Sequence, residues 1–464
     1  MNGVLCGYST ISPSYGRVQD RDELIVSQKT ILKVSALGME ANSEITMTFH
    51  ADPATGQFSG FAMDMKQGST EIASQITVDG DTARVSSWIY PAVRATFLPP
   101  GTILETTLNS PHLVRDFVGT GLTERVYRVL DVQQGTVHEK RYVRVGTESV
   151  KGAGREYQAC VLDELDMTSG VKARIWLDGQ SGETIRAEID NPSRVIYLTT
   201  SSVVKKIKMA SVDGNIFTRT NVTLANFKEI TYLKVRAKIR PTGLWVSEES
   251  LNVPGQRFEG TVNENLVEGV FEVNHRRYTG DGAPALGGAF RGESSLRPYL
   301  EPGPLVESSD PVLVKKAREL TATSRNSWDA ACRLSRWVSE NIGYAIPGGR
   351  TPRRTYDTRS GECGAHSLLL AAFCRSVGIP ARVVWGCMYV PGQGGCFGQH
   401  GWTEVHMGEG GWIPVDATVG ETDYVDCGHI RLGELEASSI GLNAKSMEVL
   451  EYRPGSGPLR RVSH

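Results

Sequence analysis

The spacing of apolar residues changes once along this chain, and that change limits its fold more than any other feature. Up to about Val273, short alternating runs are broken by Gly, Asp and Asn. Residues 30–35, 44–49, 57–63, 125–130, 140–145, 157–162 and 231–237 read as strands, because alternate side chains of a strand share a face. Asp79-Gly80, Asp178-Gly179 and Asp213-Gly214 mark tight turns between such runs. From Asp310 the spacing becomes helical. Asp310 can cap a helix with Pro311 at its first position. Asn326 opens a second helix with Ala330, Leu334, Trp337 and Asn341 on one face. A third begins at Cys363 and ends near Gly378, a residue suited to a C-terminal cap. Strand-like segments at 382–389, 402–407 and 411–415 follow, so this part reads as an α+β domain.

A chain of 464 residues exceeds one ordinary core. The expected divisions are an N-terminal antiparallel β domain at 1–208, read as one sheet or two related units, and a small β unit plus Gly/Pro-rich linker at 209–308. An α+β domain at 309–425 and a C-terminal extension at 426–464 complete the layout. Asp-Gly between strand-like runs recurs at 77–81 and 176–180, a weak echo that favours two units. A net charge of −2 gives no reason to expect a nucleic acid partner. No run approaches the roughly 18 apolar residues of a transmembrane helix. Residues 1–8 lack the basic start and apolar core of a signal peptide. A cytoplasmic protein and an exported one whose leader is absent both fit, and the oligomeric state is open. Eight cysteines without a Cys-x-x-Cys pair resemble neither a disulfide scaffold nor a zinc site. No metal or cofactor is therefore expected. Cys374 reads as a buried hydrophobe, and a Cys387–Cys396 disulfide is conceivable.

The C-terminal part also carries a set of residues suited to nucleophilic chemistry. A thiol attacks well only when ionised, and a helix N-terminus or nearby imidazolium lowers its free pKa of about 8.5. Cys363 stands where residues 357–362, read as a loop, give way to a helix anchored by Leu368, Leu369, Ala372 and Phe373. His400, read as opening a strand with Trp402 and Val405, can act as base and then acid. Asp416 ends the next strand, where it can orient the imidazole. The glycine-rich loop at 390–395 would wall a cleft.

Four motifs in order resemble the transglutaminase-like superfamily, a group with a papain-like core. They are Cys363 at a helix head, Gly378-Ile-Pro-Ala-Arg382, His400-Gly-Trp402-Thr-Glu404 and Trp412-Ile-Pro-Val-Asp416-Ala-Thr418. The resemblance spans about 310–425 and looks like the layout of bacterial relatives. It implies catalytic roles for Cys363, His400 and Asp416, a thioester acyl-enzyme, and a protein or peptide amide as substrate. Hydrolysis is preferred to amine transfer because no amine-binding feature is visible. Backbone N–H groups at the helix head are the expected oxyanion donors. No calcium-binding layout of the animal crosslinking enzymes is present. Gly401, where the family often has a larger residue, is expected to matter little. His366, Trp402, Glu404 and Trp412 are expected to support the site or line its cleft. His406 and His429 carry no partner signal, and Arg353 and Arg354 read as part of a solvated loop. The rival reading is a catalytically silent scaffold whose β region recognises a polypeptide or envelope component.

Overall fold

The structure, a computed structural model, describes the chain apart from residues 1–2, 19–20, 37–38, 54–56, 68–69, 88–89, 105–112, 114, 132–135, 168–170, 191–192, 212–216, 243–245, 264–265, 288–289, 291, 304, 346–350, 392–394, 436–440 and 463–464. The turn at Asp213-Gly214 and residues 392–394 of the glycine-rich loop therefore lie outside the described residues. Two compact units are present, Met1–Asn215 and Ile216–His464.

Period-two patterning produces two chain-ordered sheets in the first unit. One comprises β1 (Gly7–Val18), β2 (Arg21–Ala36), β3 (Met39–Ala51), β4 (Phe58–Gln67), β5 (Thr70–Asp79), β6 (Thr82–Ser87) and β7 (Tyr90–Phe97). The other comprises β8 (Ile103–Leu104), β9 (Glu124–Asp131), β10 (Thr136–Gly152), β11 (Arg155–Asp166), β12 (Lys172–Asp178), β13 (Thr184–Asp190) and β14 (Ser193–Tyr197). Neighbours are antiparallel except β8 with β9, and β15 (Ala210–Ser211) returns parallel to β2. Val26, Phe49, Phe61, Ile76 and Val85 share a core with Leu130 of the second sheet. Phe117, Tyr127, Val129, Tyr142 and Leu162 form another. The echoed Asp-Gly turns join β5 to β6 and β12 to β13, the fifth and sixth strands of each sheet.

The second unit holds β16 (Phe217–Arg219), β17 (Ile230–Thr242), β18 (Gln256–Asn263), β19 (Leu266–Asn274), β20 (Gly343–Tyr344), β21 (Ser360–Gly361), β22 (Ala381–Val390), β23 (Cys396–His406), β24 (Trp412–Val415), β25 (His429–Glu434), β26 (Gly441–Pro454) and β27 (Arg460–Arg461). Its main helices are α1 (Pro311–Thr321), α2 (Ser327–Asn341), α3 (Pro352–Thr358) and α4 (Cys363–Ser376). A central sheet runs β16–β23–β22–β25, with β24 also on β23, and another runs β18–β19–β17–β26–β27. One apolar cluster joins the helices to the central sheet through Leu334, Leu369, Phe373, Val383 and Val405. A second joins the two sheets through Val235, Phe271, Tyr389, Ile430 and Val449, and includes Cys363.

Local signals set the helix ends. Asp310 accepts from the Val312 and Leu313 N–H groups, and Asn326 accepts from that of Asp329. At the end of α4, Gly378 takes φ 83°, a left-handed conformation that glycine adopts without a Cβ penalty. The buried stripe of α2 is Ala330, Ala331, Leu334, Ser335 and Val338, rotated from the expected face, and Asn341 is exposed.

Several expectations need correction. Arg353 and Arg354 lie in α3, capped by the Thr351 side chain with Pro352 at its first position. That seven-residue helix is too short for periodicity to reveal, and it absorbs the first part of the supposed loop at 357–362. Residues 209–308 and 426–464 do not stand apart from 309–425: β17 pairs along its length with β26, and β25 pairs with β22. The stretch expected as a linker buries Phe290 and Leu296, and Tyr278 packs edge-on against Trp328. Cys387 and Cys396 are free thiols, since strand register sets Cys387 opposite Gln399 and Cys396 opposite Val390. No described helix is long and apolar enough to cross a membrane.

Candidate active site

Cys363 is fixed from both sides of the chain. Before it, β21 pairs with β20, and the Ala345 N–H donates to Gly361 O at 3.1 Å. After it, the Ser367 hydroxyl bonds Cys363 O at 2.8 Å and Gly401 O at 3.1 Å, tying α4 to β23 beside His400. The Thr403 hydroxyl adds a bond to Ser367 O at 3.1 Å. α4 starts at Cys363, and its N-cap, Glu362, makes no side-chain cap bond. The unsatisfied first-turn N–H groups carry the partial positive charge of the helix end.

His400 lies inside β23 rather than at its start, opposite Gly386 of β22. The β22–β23 ladder runs from Ala381 opposite Val405 to Val390 opposite Cys396, so extended pairing passes through Gly398 and Gly401 and carries the strand back beyond His400. The His400 Nε2–H donates to Asp416 Oδ2 at 2.5 Å, and the Cys363 thiol acts on the same ring, favouring its protonated form. Asp416 immediately follows β24 and is held by paired backbone bonds with Glu421 of 2.7 and 2.8 Å. Its Oδ1 accepts the Thr418 N–H at 2.8 Å. The three residues expected to act together are thus side by side, with Cys363 8%, His400 5% and Asp416 1% exposed.

Burial alone would strip His400 of its proton, but Asp416 and Cys363 outweigh it and raise the pKa to about 9. Burial likewise disfavours the Asp416 carboxylate, yet His400 and His429 hold it well below the usual carboxylate range.

His429 was not legible as a partner. Its Nε2 lies 3.1 Å from Asp416 Oδ2, and its Nδ1 lies 3.0 Å from Asp426 Oδ1. Asp426 also accepts the Gly428 N–H at 2.9 Å, and its own N–H donates to Glu421 Oε2 at 2.8 Å. Burial, reinforced by Asp426, pushes Glu421 up to about 8. The Asp426-x-x-His429 spacing was the only local trace of this cluster. One side-chain N or O atom from each of His400, Asp416 and His429, and from each of Glu421, Asp426 and His429, lies within 4.8 Å of the others in its group. Both nitrogens of His429 already face carboxylates at hydrogen-bond distance.

The remaining expected residues are placed differently from one another. Trp402 is 2% exposed, stacks on His400 at 6.2 Å and meets His429 edge-on at 5.1 Å, so it walls the charged cluster. His366 points its ring nitrogens at Glu362 O and Ile342 O, both at 3.0 Å, and braces the segment before Cys363. Glu404 bonds Arg382 at 2.7 Å and Arg431 at 3.1 Å, while Arg382 also pairs with Glu434. Trp412 lies over Arg382 at 4.0 Å. Glu404 therefore belongs to an ion network with Arg382, Arg431 and Glu434, against which Trp412 packs. Gly401 matters more than expected: a Cβ there would sit 2.5 Å from two ring carbons of Trp385.

A thiol-headed helix packed on an antiparallel sheet, with an imidazole on one strand and a carboxylate just past the end of its neighbour, defines a papain-like domain. Residues 314–417 match the transglutaminase-like superfamily, so the C-terminal part of this chain carries a transglutaminase-like domain. No curated protein matches the sequence. Among solved structures, similarity extends to a protein described as a candidate cysteine protease from Cytophaga hutchinsonii, at 16% identity and TM-score 0.35, over 54% of this chain and 96% of that one. The periplasmic domain of TgpA from Pseudomonas aeruginosa is similar at 18% identity and TM-score 0.26, over 44% and 90%. A beta-barrel-like protein of unknown function from Brucella abortus is similar at 11% and 0.30, over 42% and 97%.

Proposed function

We propose that this protein is a cysteine-dependent enzyme acting on amide bonds of proteins or peptides through a thioester. The observation that carries the reading is the buried His400–Asp416 bond of 2.5 Å, on a ring whose proton Cys363 also favours, inside a transglutaminase-like domain. A ring that favours its proton up to about pH 9 can draw the thiol proton onto itself. The Cys363 sulfur then attacks the carboxamide carbon, and the oxyanion faces the N–H groups of the first turn of α4. His400 returns the proton to the departing nitrogen, which leaves as amine or ammonia. In the second half, water attacks the thioester carbonyl as His400 takes one of its protons; the C–S bond breaks, His400 returns that proton to the sulfur, and the carboxylic acid product departs and ionises in solvent. Hydrolysis is favoured over amine transfer because water needs no binding site of its own.

Incubation with a casein-type protein and a fluorescent primary amine tests this reading. Cleavage or ammonia release should exceed amine incorporation, and all three should vanish in Cys363→Ala. Activity retained by Cys363→Ala would overturn the mechanism.

A binding role for the N-terminal unit has its own support in an open groove of about 570 Å³ lined by Lys151, Trp176, Arg186, Val195 and Tyr197. The full-length Cys363→Ala chain should then capture extended peptides from an array, and Trp176→Ala should abolish capture. Binding unaffected by Trp176→Ala counts against this role.

A further inference from the structure

We propose that His429 is a positioning residue: a second imidazole on Asp416 that fixes the carboxylate and limits how tightly it holds the proton of His400. This role rests on the reaction proposed above.

The geometry leaves little freedom around Asp416. Both imidazoles converge on Oδ2, His400 at 2.5 Å and His429 at 3.1 Å, while Oδ1 takes the Thr418 N–H at 2.8 Å. Both carboxylate oxygens are occupied, so rotation of the group would break at least one bond. The far nitrogen of His429 meets Asp426 at 3.0 Å. An ionised carboxylate only accepts hydrogen bonds, so an imidazole between two carboxylates donates from both nitrogens and is a cation. In agreement, burial opposes the charge on His429 but Asp416 and Asp426 outweigh it, and its pKa lies well above the ordinary value.

The cluster closes on itself. Asp426 bonds Glu421 through its N–H, and Glu421 is joined to Asp416 by two backbone hydrogen bonds. His429 heads β25, opposite Met388 of β22, so the ring is carried by the same sheet as His400. The groups facing it are Asp416, Asp426, Glu421 at 3.9 Å from Nδ1, and His400 at 5.7 Å between ring centres. Lys228 lies 4.0 Å from Glu421, and Tyr424 also interacts with Glu421.

The chemical consequence follows from charge. An unshared Asp416 would act on His400 alone in a site shielded from water, where Coulomb interactions are strong. His400 would then keep its proton too firmly to accept one from water during thioester hydrolysis. A cation on the same carboxylate oxygen weakens that hold while still aligning the ring.

The test uses the full chain, ¹⁵N-labelled at histidine, as the parent and as His429→Gln, with circular dichroism to establish folding. Gln keeps an N–H donor but removes the cation. The His400 titration and the alkaline limb of Cys363-dependent reactivity should both move up in His429→Gln by roughly half a pH unit or more. A folded variant whose profile superimposes on the parent overturns this role alone, provided that His400→Ala still suppresses reactivity. If the variant does not fold, the parent spectrum decides: both His429 nitrogens should carry protons at neutral pH, and a neutral His429 overturns the proposal. An unreactive Cys363 in the parent removes the reaction itself, and this role with it.

Discussion

At the scale of single residues, the proposed chemistry was legible because Cys363, His400 and Asp416 each sit in a short motif of their own. His429 was not, because its partnership with Asp416 depends on the pairing of β25 with β22 and on the turn from Asp416 to Glu421. No local spacing encodes those contacts. The Arg382 and Glu404 motif residues gain a physical explanation: they pair across β22 and β23. Asp416→Asn keeps the shape and removes the charge. Turnover should fall on the order of 10⁴-fold, as when the orienting carboxylate of a triad is lost. Its alkaline limb should move below about pH 9, because the carboxylate that raises His400 is gone. That shift is opposite in sign to the one expected for His429→Gln, and pH–rate profiles of the two variants check both. An Asp416→Asn profile identical to the parent would remove Asp416 from the site's electrostatics.

At the scale of elements, strands and long helices were readable from period and caps, whereas close approaches between elements were not. Gly401 illustrates the difference. Its sequence context marks it as an innocuous departure, yet the missing Cβ leaves room for the Trp385 ring from the neighbouring strand. Gly401→Ala should destabilise the second unit by about 1–3 kcal/mol through overpacking, measured by denaturant unfolding. Trp385→Leu in the same chain should restore part of that loss. A neutral Gly401→Ala would contradict the packing of these strands. The rotated face of α2 has a similar origin: Ala331 and Val338 join the apolar cluster shared with α4 and the central sheet, and only tertiary contacts decide which flank of an amphipathic helix is buried.

At the scale of the whole molecule, the sequence revealed a β-rich first part and an α+β part, but drew the divisions where local composition changes. The β17–β26 pairing joins segments more than two hundred residues apart, which no local pattern signals. Among the described residues, both apolar cores of the second unit are built from its own side chains. A chain restricted to 216–464 should therefore fold alone and keep its thiol chemistry; an unfolded fragment would contradict this division. Its stability should also depend on pH. His400 has a folded pKa of about 9, above its ordinary 6.5, so its contribution is full below about 6.5 and is lost as pH rises through 9. Glu421, raised from 4.5 to about 8, adds a loss that begins above about 4.5 and is complete as pH rises through 8, because the folded state resists its ionisation. Thermal unfolding of this fragment should accordingly weaken from about pH 6 to about pH 9, and a flat profile would contradict these assignments. The central claim is most directly tested by iodoacetamide labelling of the full chain, read cysteine by cysteine by mass spectrometry. Cys363 is buried, whereas Cys332 is the most accessible of the eight cysteines, so accessibility alone favours Cys332. Activation predicts that Cys363 is alkylated first at neutral pH and that His400→Ala slows it about 10²-fold or more. Labelling of Cys363 no faster than the other cysteines, or unchanged by His400→Ala, would contradict the account.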